Sequence, residues 1–160
     1  MTVVSLVAAF VGTGRLYGVG IGSTLSELEQ AIRFDFVDVV DESGDSMRRE
    51  YGFIEFYLNF DQEWVVSGGA IELHRVASRY EMAQRWGEVM HDCFPKFLSW
   101  GDLKSAMCER SEHPFLNLID QGDFLEYRSP ETKVSVLVNN DREERDGWLG
   151  HGDVWSVSLG

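Results

Sequence analysis

Histidine and cysteine side chains are the first candidates for chemistry in this chain, because both can bind metals and cysteine can attack a substrate. The sequence has four histidines and two cysteines, and only His91 and Cys93 lie close together. No HExxH motif and no Cys-x-x-Cys pair accompanies them, so a zinc site would lack ligands. Residues two apart on a helix do not face each other, so His91 would not activate Cys93. We predict no metal site, no cofactor and no catalytic residue.

A glycine-rich segment, residues 12–22, is the second candidate, since glycine loops can wrap phosphate groups. Its spacing is GxGxxxGxGxG, which matches neither the dinucleotide-binding GxGxxG motif nor the phosphate-loop motif GxxxxGK[ST]. No lysine lies nearby. The segment therefore predicts a flexible connection between two helices.

Tryptophans that follow clustered carboxylates are the third candidate. They occur in residues 61–64 (DQEW) and again in residues 141–148 (DREERDGW). Carboxylates steer a basic partner and pair with its Lys and Arg side chains, and tryptophan is enriched among the anchors of protein interfaces. Two alternatives stay open, because such a tryptophan can also fill a gap in the core and such a charged loop can be simple solvated surface.

The alternating run Phe53–Asn59 supplies a further candidate surface. Its core-facing residues alternate with Phe53, Glu55, Tyr57 and Asn59, and we expect Glu72 and His74 on the same side. An antiparallel sheet can leave one face in water, and a face with aromatic and acidic side chains suits recognition. The predicted partner-binding residues are Glu55, Tyr57, Asp61, Glu63, Trp64, Asp141, Glu143, Glu144 and Trp148.

The charge balance indicates what kind of partner these residues would bind. Asp and Glu total 27 against 14 Lys and Arg, which gives a formal net charge of −13. Such a field repels nucleic acids and anionic membrane surfaces, and it attracts basic proteins. Solubility alone is the other explanation for the acidity. We predict a basic protein partner, no nucleic-acid partner and no membrane partner.

The beginning of the chain indicates where the protein acts. The first basic residue, Arg15, follows the apolar stretch Val3–Val11, whereas a secretory signal carries its positive charge first. No apolar run reaches the roughly 20 residues of a membrane span. We expect a cytoplasmic protein.

The elements that carry these residues follow a repeated pattern. Thr24–Glu27 has the form of a helix capping box, and Ser99–Asp102 repeats it 75 residues later. Alternating runs follow each of these helix starts in a similar order. We predict an α+β fold in which residues 1–160 form a single domain of two repeats, about 1–75 and 76–160. Each repeat would be a helix-loop-helix followed by a four-stranded antiparallel sheet.

Individual elements can be predicted from the same patterns. Residues 2–10 favour a helix, although their valines leave a strand open. Ser78–Glu81 has the form of a further capping box, and Pro95 would end the helix that follows. We predict that Ile54, Phe56, Leu58, Val134, Val136 and Val138 are core. The predicted strands are Phe34–Val40, Met47–Tyr51, Phe53–Asn59, Ala70–His74, Phe115–Ile119, Phe124–Arg128, Lys133–Asn139 and Val154–Leu159.

Two short stretches carry a resemblance to known proteins. Gly20–Ile32 and Arg49–Phe56 look like small actinobacterial immunity proteins that are found beside polymorphic toxins. The order of the units resembles the β-lactamase inhibitor protein family, whose members are tandem repeats of a helix-loop-helix and a four-stranded sheet. Those inhibitors are secreted and disulfide-bonded, and we expect this chain, in which we identify neither a secretory signal nor their cysteines, to depart from them in both respects.

The resemblance implies a protein that binds a basic toxin or enzyme stoichiometrically and neutralises it, without being an enzyme itself. Two other functions remain open. The first is a small enzyme with a carboxylate pair in the cleft of the sheet. The second is a nucleic-acid mimic in which spaced carboxylates imitate phosphates.

Overall fold

An eight-stranded antiparallel sheet forms the centre of the molecule. The computed structural model describes residues 2–111 and 113–160. In the sheet the strands follow the order β1-β2-β3-β4-β8-β7-β6-β5. The strands are β1 (Val37–Val40), β2 (Ser46–Glu50), β3 (Ile54–Asp61), β4 (Glu63–Ile71), β5 (Asn117–Asp120), β6 (Phe124–Arg128), β7 (Val134–Asn139) and β8 (Val154–Leu159).

Within the described residues, 2–111 and 113–160, five helices accompany the sheet, so the predicted α+β class is confirmed. They are α1 (Val3–Thr13), α2 (Leu25–Ala31), α3 (Leu73–Ser78), α4 (Tyr80–Met90) and α5 (Trp100–Cys108). The strands do not form the two four-stranded sheets that we predicted, because β4 and β8 pair over Gly69–Ile71 and Val157–Leu159. This pairing removes two sheet edges, whose free backbone groups would otherwise need water or another strand.

Three of the four N-caps that the sequence offers for helices are present in the structure. Thr24 and Glu27 form a complete capping box at α2, and the Ser99 hydroxyl accepts from the backbone N–H of Asp102 at α5. Thr2 caps α1, so the N-terminal segment is a helix rather than a strand. Ser78 does not cap a helix: it is the last residue of α3, and its hydroxyl donates to the carbonyl of Arg75.

Several predicted boundaries are wrong. The strands predicted to begin at Phe34, Ala70 and Phe115 begin at Val37, Glu63 and Asn117. The strand predicted at Ala70–His74 ends at Ile71 instead, and α3 begins at Leu73 because Leu73, Val76 and Ala77 are all buried at helical spacing. Helix α4 ends at Met90, before Pro95, because His91 adopts a left-handed conformation with φ +64° that closes the helix.

One hydrophobic core lies between the helices and one face of the sheet. All six predicted core residues of β3 and β7 are buried there. They pack with helix residues that include Phe10, Leu28, Trp86 and Leu103. Phe53, predicted on the opposite face, belongs to this core as well, because it precedes β3 and contacts Trp86 and Phe94.

Candidate functional site

The other face of the sheet, which we call the open face, points away from this core. Strand register places Glu55, Ala70, Ser158, Ser135 and Arg128 on it, in a row from β3 through β4, β8 and β7 to β6. Alternation along β3 places Tyr57 on the same face as Glu55. Its middle strands carry small side chains, namely Gly68, Ala70, Ser156 and Ser158. The open face therefore has a shallow floor, with large side chains on either side of it.

On one side of this floor, Glu55 holds Tyr57 and Arg75. The Glu55 carboxylate is only 4% exposed, accepts from the Tyr57 hydroxyl and lies 3.2 Å from Nη1 of Arg75. Burial raises the pKa of the Tyr57 phenol, and the hydrogen bond to the Glu55 carboxylate adds to the rise. Both carboxylate oxygens are engaged, one by Tyr57 and one by Arg75, so Glu55 holds these two side chains in position.

Glu72 and His74 lie at the junction of β4 and α3. They were predicted on a strand, but they still reach the open face from the start of the helix. Nδ1 of His74 lies 3.3 Å from Oε2 of Glu72, and the imidazole stacks on the Trp155 ring with 4.6 Å between centroids. Burial raises the pKa of the Glu72 carboxyl, and the neighbouring Glu55 raises it further.

On the other side of the floor, Trp155 is the centre of an aromatic cluster. Its ring meets Phe124 and Trp148 edge to face, with centroids 5.2 Å and 5.8 Å apart. Neither Trp155 nor Phe124 was among the site residues predicted from the sequence. The available signal was the spacing of Val154 and Val157, two buried residues three apart in a strand, which breaks alternation.

A β-bulge explains how Trp155 reaches this position. Val154 pairs with Val138 and Ser156 pairs with Leu137, so Trp155 is the extra residue of β8. Such a bulge lets Val154 and Val157 both face the core while it re-aims the side chain between them.

The loop between β7 and β8, residues 140–153, holds Trp148 over the open face. The Asn139 amide donates to the carbonyls of Leu149 and Gly150, at 3.1 Å and 3.2 Å. Its oxygen accepts from the backbone N–H of Asp141, and the Asp153 carboxylate accepts from that of Gly150. These bonds hold both ends of the loop, so Trp148 and the acidic residues before it keep a defined position.

Between the loop and the aromatic cluster is a cavity of about 200 Å³, which we call the tryptophan cavity. It is lined by Asp123, Phe124, Asn139, Asp141, Glu143, Arg145, Trp148, Leu149 and Trp155. Nη2 of Arg145 lies 3.4 Å from the Asp141 carboxylate and 3.2 Å from that of Glu143. Three of the predicted partner-binding residues, Asp141, Glu143 and Trp148, thus come together in one place.

The remaining predicted residues lie elsewhere. Asp61 and Glu63 are exposed at the tip of the β3–β4 hairpin, around Gln62 with φ +67°. Trp64 packs on Phe60 at 5.3 Å and against the core, on the side of the sheet opposite to Tyr57. Glu144 is exposed in the 140–153 loop and does not line the cavity.

Within residues 2–111 and 113–160, no group of three or more His, Cys, Asp or Glu side chains could hold a metal ion. The helices of this part of the chain are all too short or too polar to cross a membrane. Cys93 and Cys108 are free thiols and exposed.

Comparison of the chain with protein-family models, with curated proteins and with solved structures gives no significant match.

Proposed function

We propose that this protein is an immunity-type or inhibitor-type protein that binds a basic protein, a toxin or an enzyme, and neutralises it. The observation that carries the proposal is the open face, where Tyr57, Trp148 and Trp155 stand beside carboxylates on a sheet surface outside the core. Aromatic side chains next to acids are the composition of an interface with a basic partner.

The physical roles of the two residue types differ. The net charge of −13 attracts a basic partner over a distance and raises its association rate. Aromatic side chains then lose water against the partner and slow its dissociation. The small side chains between Tyr57 and Trp155 let the partner approach the sheet closely. Occupying the partner's active site or an essential surface in this way would inhibit it without any chemistry.

We also propose that the chain is a tandem repeat, as the resemblance to the β-lactamase inhibitor proteins implies. The strand order supports this, because β1-β2-β3-β4 meets β8-β7-β6-β5 in reverse. Each half also has one register shift between its third and fourth strands, at Tyr57/Leu58 and at Leu137/Val138.

The helix caps support the repeat independently. Thr24, the N-cap of α2, bridges to Val65, and Ser99, the N-cap of α5, bridges to Asp153. Both partners lie two residues before the bulge of their strand, which is Ser67 in β4 and Trp155 in β8. A tandem repeat places the two bulges at equivalent positions and gives each half its own version of the open face.

A genetic and biochemical experiment tests the function. The candidate partner is a basic protein encoded next to this chain, in the cytoplasm of the same cell, as in toxin–immunity pairs. We expect co-expression of this chain to abolish the partner's toxicity, and the purified proteins to form a one-to-one complex. Tyr57→Ala with Trp155→Ala should accelerate dissociation of the complex, whereas the hairpin-tip variant Asp61→Asn with Glu63→Gln should leave the dissociation rate unchanged. Survival of toxicity at full expression of this chain would contradict the proposal.

The enzyme hypothesis keeps one observation in its favour, the raised pKa of the Glu72 carboxyl near Glu55. The engagement of both Glu55 oxygens by Tyr57 and Arg75 weighs against it. Neutralisation of the partner by Glu72→Gln at wild-type level would separate the two functions, because a catalytic carboxyl could not be replaced by an amide.

A further inference from the structure

The tryptophan cavity combines two kinds of wall that favour a cation. Three aromatic rings, those of Phe124, Trp148 and Trp155, form one side, and ring faces attract positive charge. Asp123, Asp141 and Glu143 line the rest, against the single guanidinium of Arg145. Three carboxylates and one guanidinium leave an excess of two negative charges.

Arg145 neutralises only part of the negative charge that lines this cavity. Arg145 contacts Asp141 and Glu143 through one nitrogen, at 3.4 Å and 3.2 Å, and its side chain is 54% exposed. Both distances are longer than a good charge-assisted hydrogen bond. The cation–ring contacts of residues 2–111 and 113–160 are made on Phe34, Phe36 and Phe97, and none is made on a ring of this cavity.

We propose that the tryptophan cavity receives the guanidinium group of one arginine of the partner, which displaces Arg145 from Asp141 and Glu143. The cavity is the part of the proposed partner-binding surface that recognises arginine, and this proposal rests on the proposed immunity or inhibitor function. A guanidinium is planar, so it can stack on an indole ring and still donate to a carboxylate through its edge. The position of Arg145 shows that the two carboxylates accept this group, and its exposure leaves room for a competitor.

The probe for this site is N-acetyl-arginine amide, with N-acetyl-citrulline amide as its uncharged analogue of nearly the same shape and N-acetyl-lysine amide as a cation without the planar group. Binding is followed by the indole N–H signals of the five tryptophans in NMR spectra. We expect the arginine probe to shift the signals of Trp148 and Trp155 saturably, with a dissociation constant on the order of millimolar. Citrulline should give no saturable shift, and lysine a weaker one.

Three variants make the test specific. Arg145→Ala should tighten binding of the arginine probe about twofold to fivefold, because it removes the competing ion pair. Asp141→Asn with Glu143→Gln should weaken it at least about fivefold. The matched control is Asp61→Asn with Glu63→Gln, which removes the same two charges beside Trp64 and should leave the dissociation constant unchanged. Each variant is first shown to keep the dispersed spectrum of the folded protein.

Three results would overturn the proposal. The first is that the citrulline probe binds as tightly as the arginine probe. The second is that the arginine probe shifts the Trp64 signal as much as those of Trp148 and Trp155. The third is that the Arg145→Ala protein binds the arginine probe with the wild-type dissociation constant. A basic partner that still binds through Tyr57 and Trp155 while the probe does not bind would remove only the arginine site. A probe that binds in the cavity while the neighbouring basic protein stays active would remove the immunity function and keep the site.

Discussion

Two segments of this molecule join acidic residues to a tryptophan: the hairpin tip at 60–64 and the longer loop at 140–153. In the hairpin, the strand register places Trp64 opposite Phe60, on the side of the core. In the loop, Trp148 folds over the open face and meets Trp155.

In these two segments, the length of the connection determines on which face of the sheet the tryptophan lies. A tight hairpin extends the alternation of its strands, so Trp64 must follow Phe60 and stabilise the fold. The longer loop is released from alternation and is held by Asn139 and Asp153 instead, so Trp148 can lie over the open face.

The largest effect should come from the core side of the sheet. We expect Phe56→Ala to lower the free energy of unfolding by about 3–5 kcal/mol, because the ring is 1% exposed and its loss leaves a cavity. Chemical denaturation of both proteins measures the difference. An unchanged free energy of unfolding would show that the two faces have been assigned the wrong way round.

Trp64 and Trp148 should differ in stability. Trp64→Ala should cost about 2–3 kcal/mol, since the ring is half-buried against the core. Trp148→Ala should cost less than about 1 kcal/mol, as expected for a side chain outside the core. Thermal unfolding of the two variants side by side is the measurement. Equal losses would mean that the two tryptophans play the same role.

For binding of the partner, we expect Trp148 to contribute more than Trp64, the reverse of their contributions to stability. Trp148→Ala should accelerate dissociation of the basic partner, with a loss of about 2 kcal/mol of binding free energy if the ring is an anchor. Trp64→Phe, which keeps an aromatic ring against the core, is the control and should dissociate at the wild-type rate. Surface plasmon resonance with the purified partner gives both rates. A greater loss from the Trp64 variant would place the interface on the hairpin.

Charge reversal in either segment should slow association of the partner, whereas only reversal in the 140–153 loop should accelerate its dissociation. Glu143→Lys with Glu144→Lys changes the net charge from −13 to −9 and should slow association about tenfold at low salt, with a weaker salt dependence. Asp61→Lys with Glu63→Lys makes the same change in net charge and should also slow association. Only the first pair should accelerate dissociation, because only Glu143 lines the tryptophan cavity. Association rates that ignore salt would remove electrostatic steering from the mechanism.

The smallest effect concerns the side of the open face near α3. Because burial raises the pKa of Glu72, the folded protein holds that proton more tightly than the unfolded chain does. Stability contributed by this group therefore grows as pH falls through the folded pKa and is lost as pH rises. We expect Glu72→Gln to stabilise the protein by less than about 1 kcal/mol near pH 7, and the gain to shrink near pH 4. A gain that increases towards acidic pH would contradict the direction of the pKa shift.

The local features of this protein could be predicted from its sequence. The capping box at Thr24, the cap at Ser99 and the alternation in β3 and β7 were predicted correctly, since each depends on residues within one turn or one strand. Three of the nine predicted site residues meet in the tryptophan cavity for a similar reason, because one loop carries all of them.

The way in which these elements combine depends on long-range contacts that local patterns do not specify. The joining of β4 to β8, the bulge that turns Trp155 outward and the core-side position of Trp64 depend on pairings between distant segments. The burial of Glu55 by Tyr57 and Arg75 likewise needs α3, the helix that follows the next strand of the chain. Local patterns specify hydrogen bonds and side-chain periodicity along the chain, whereas the choice of neighbouring strand is made by the burial of the whole core.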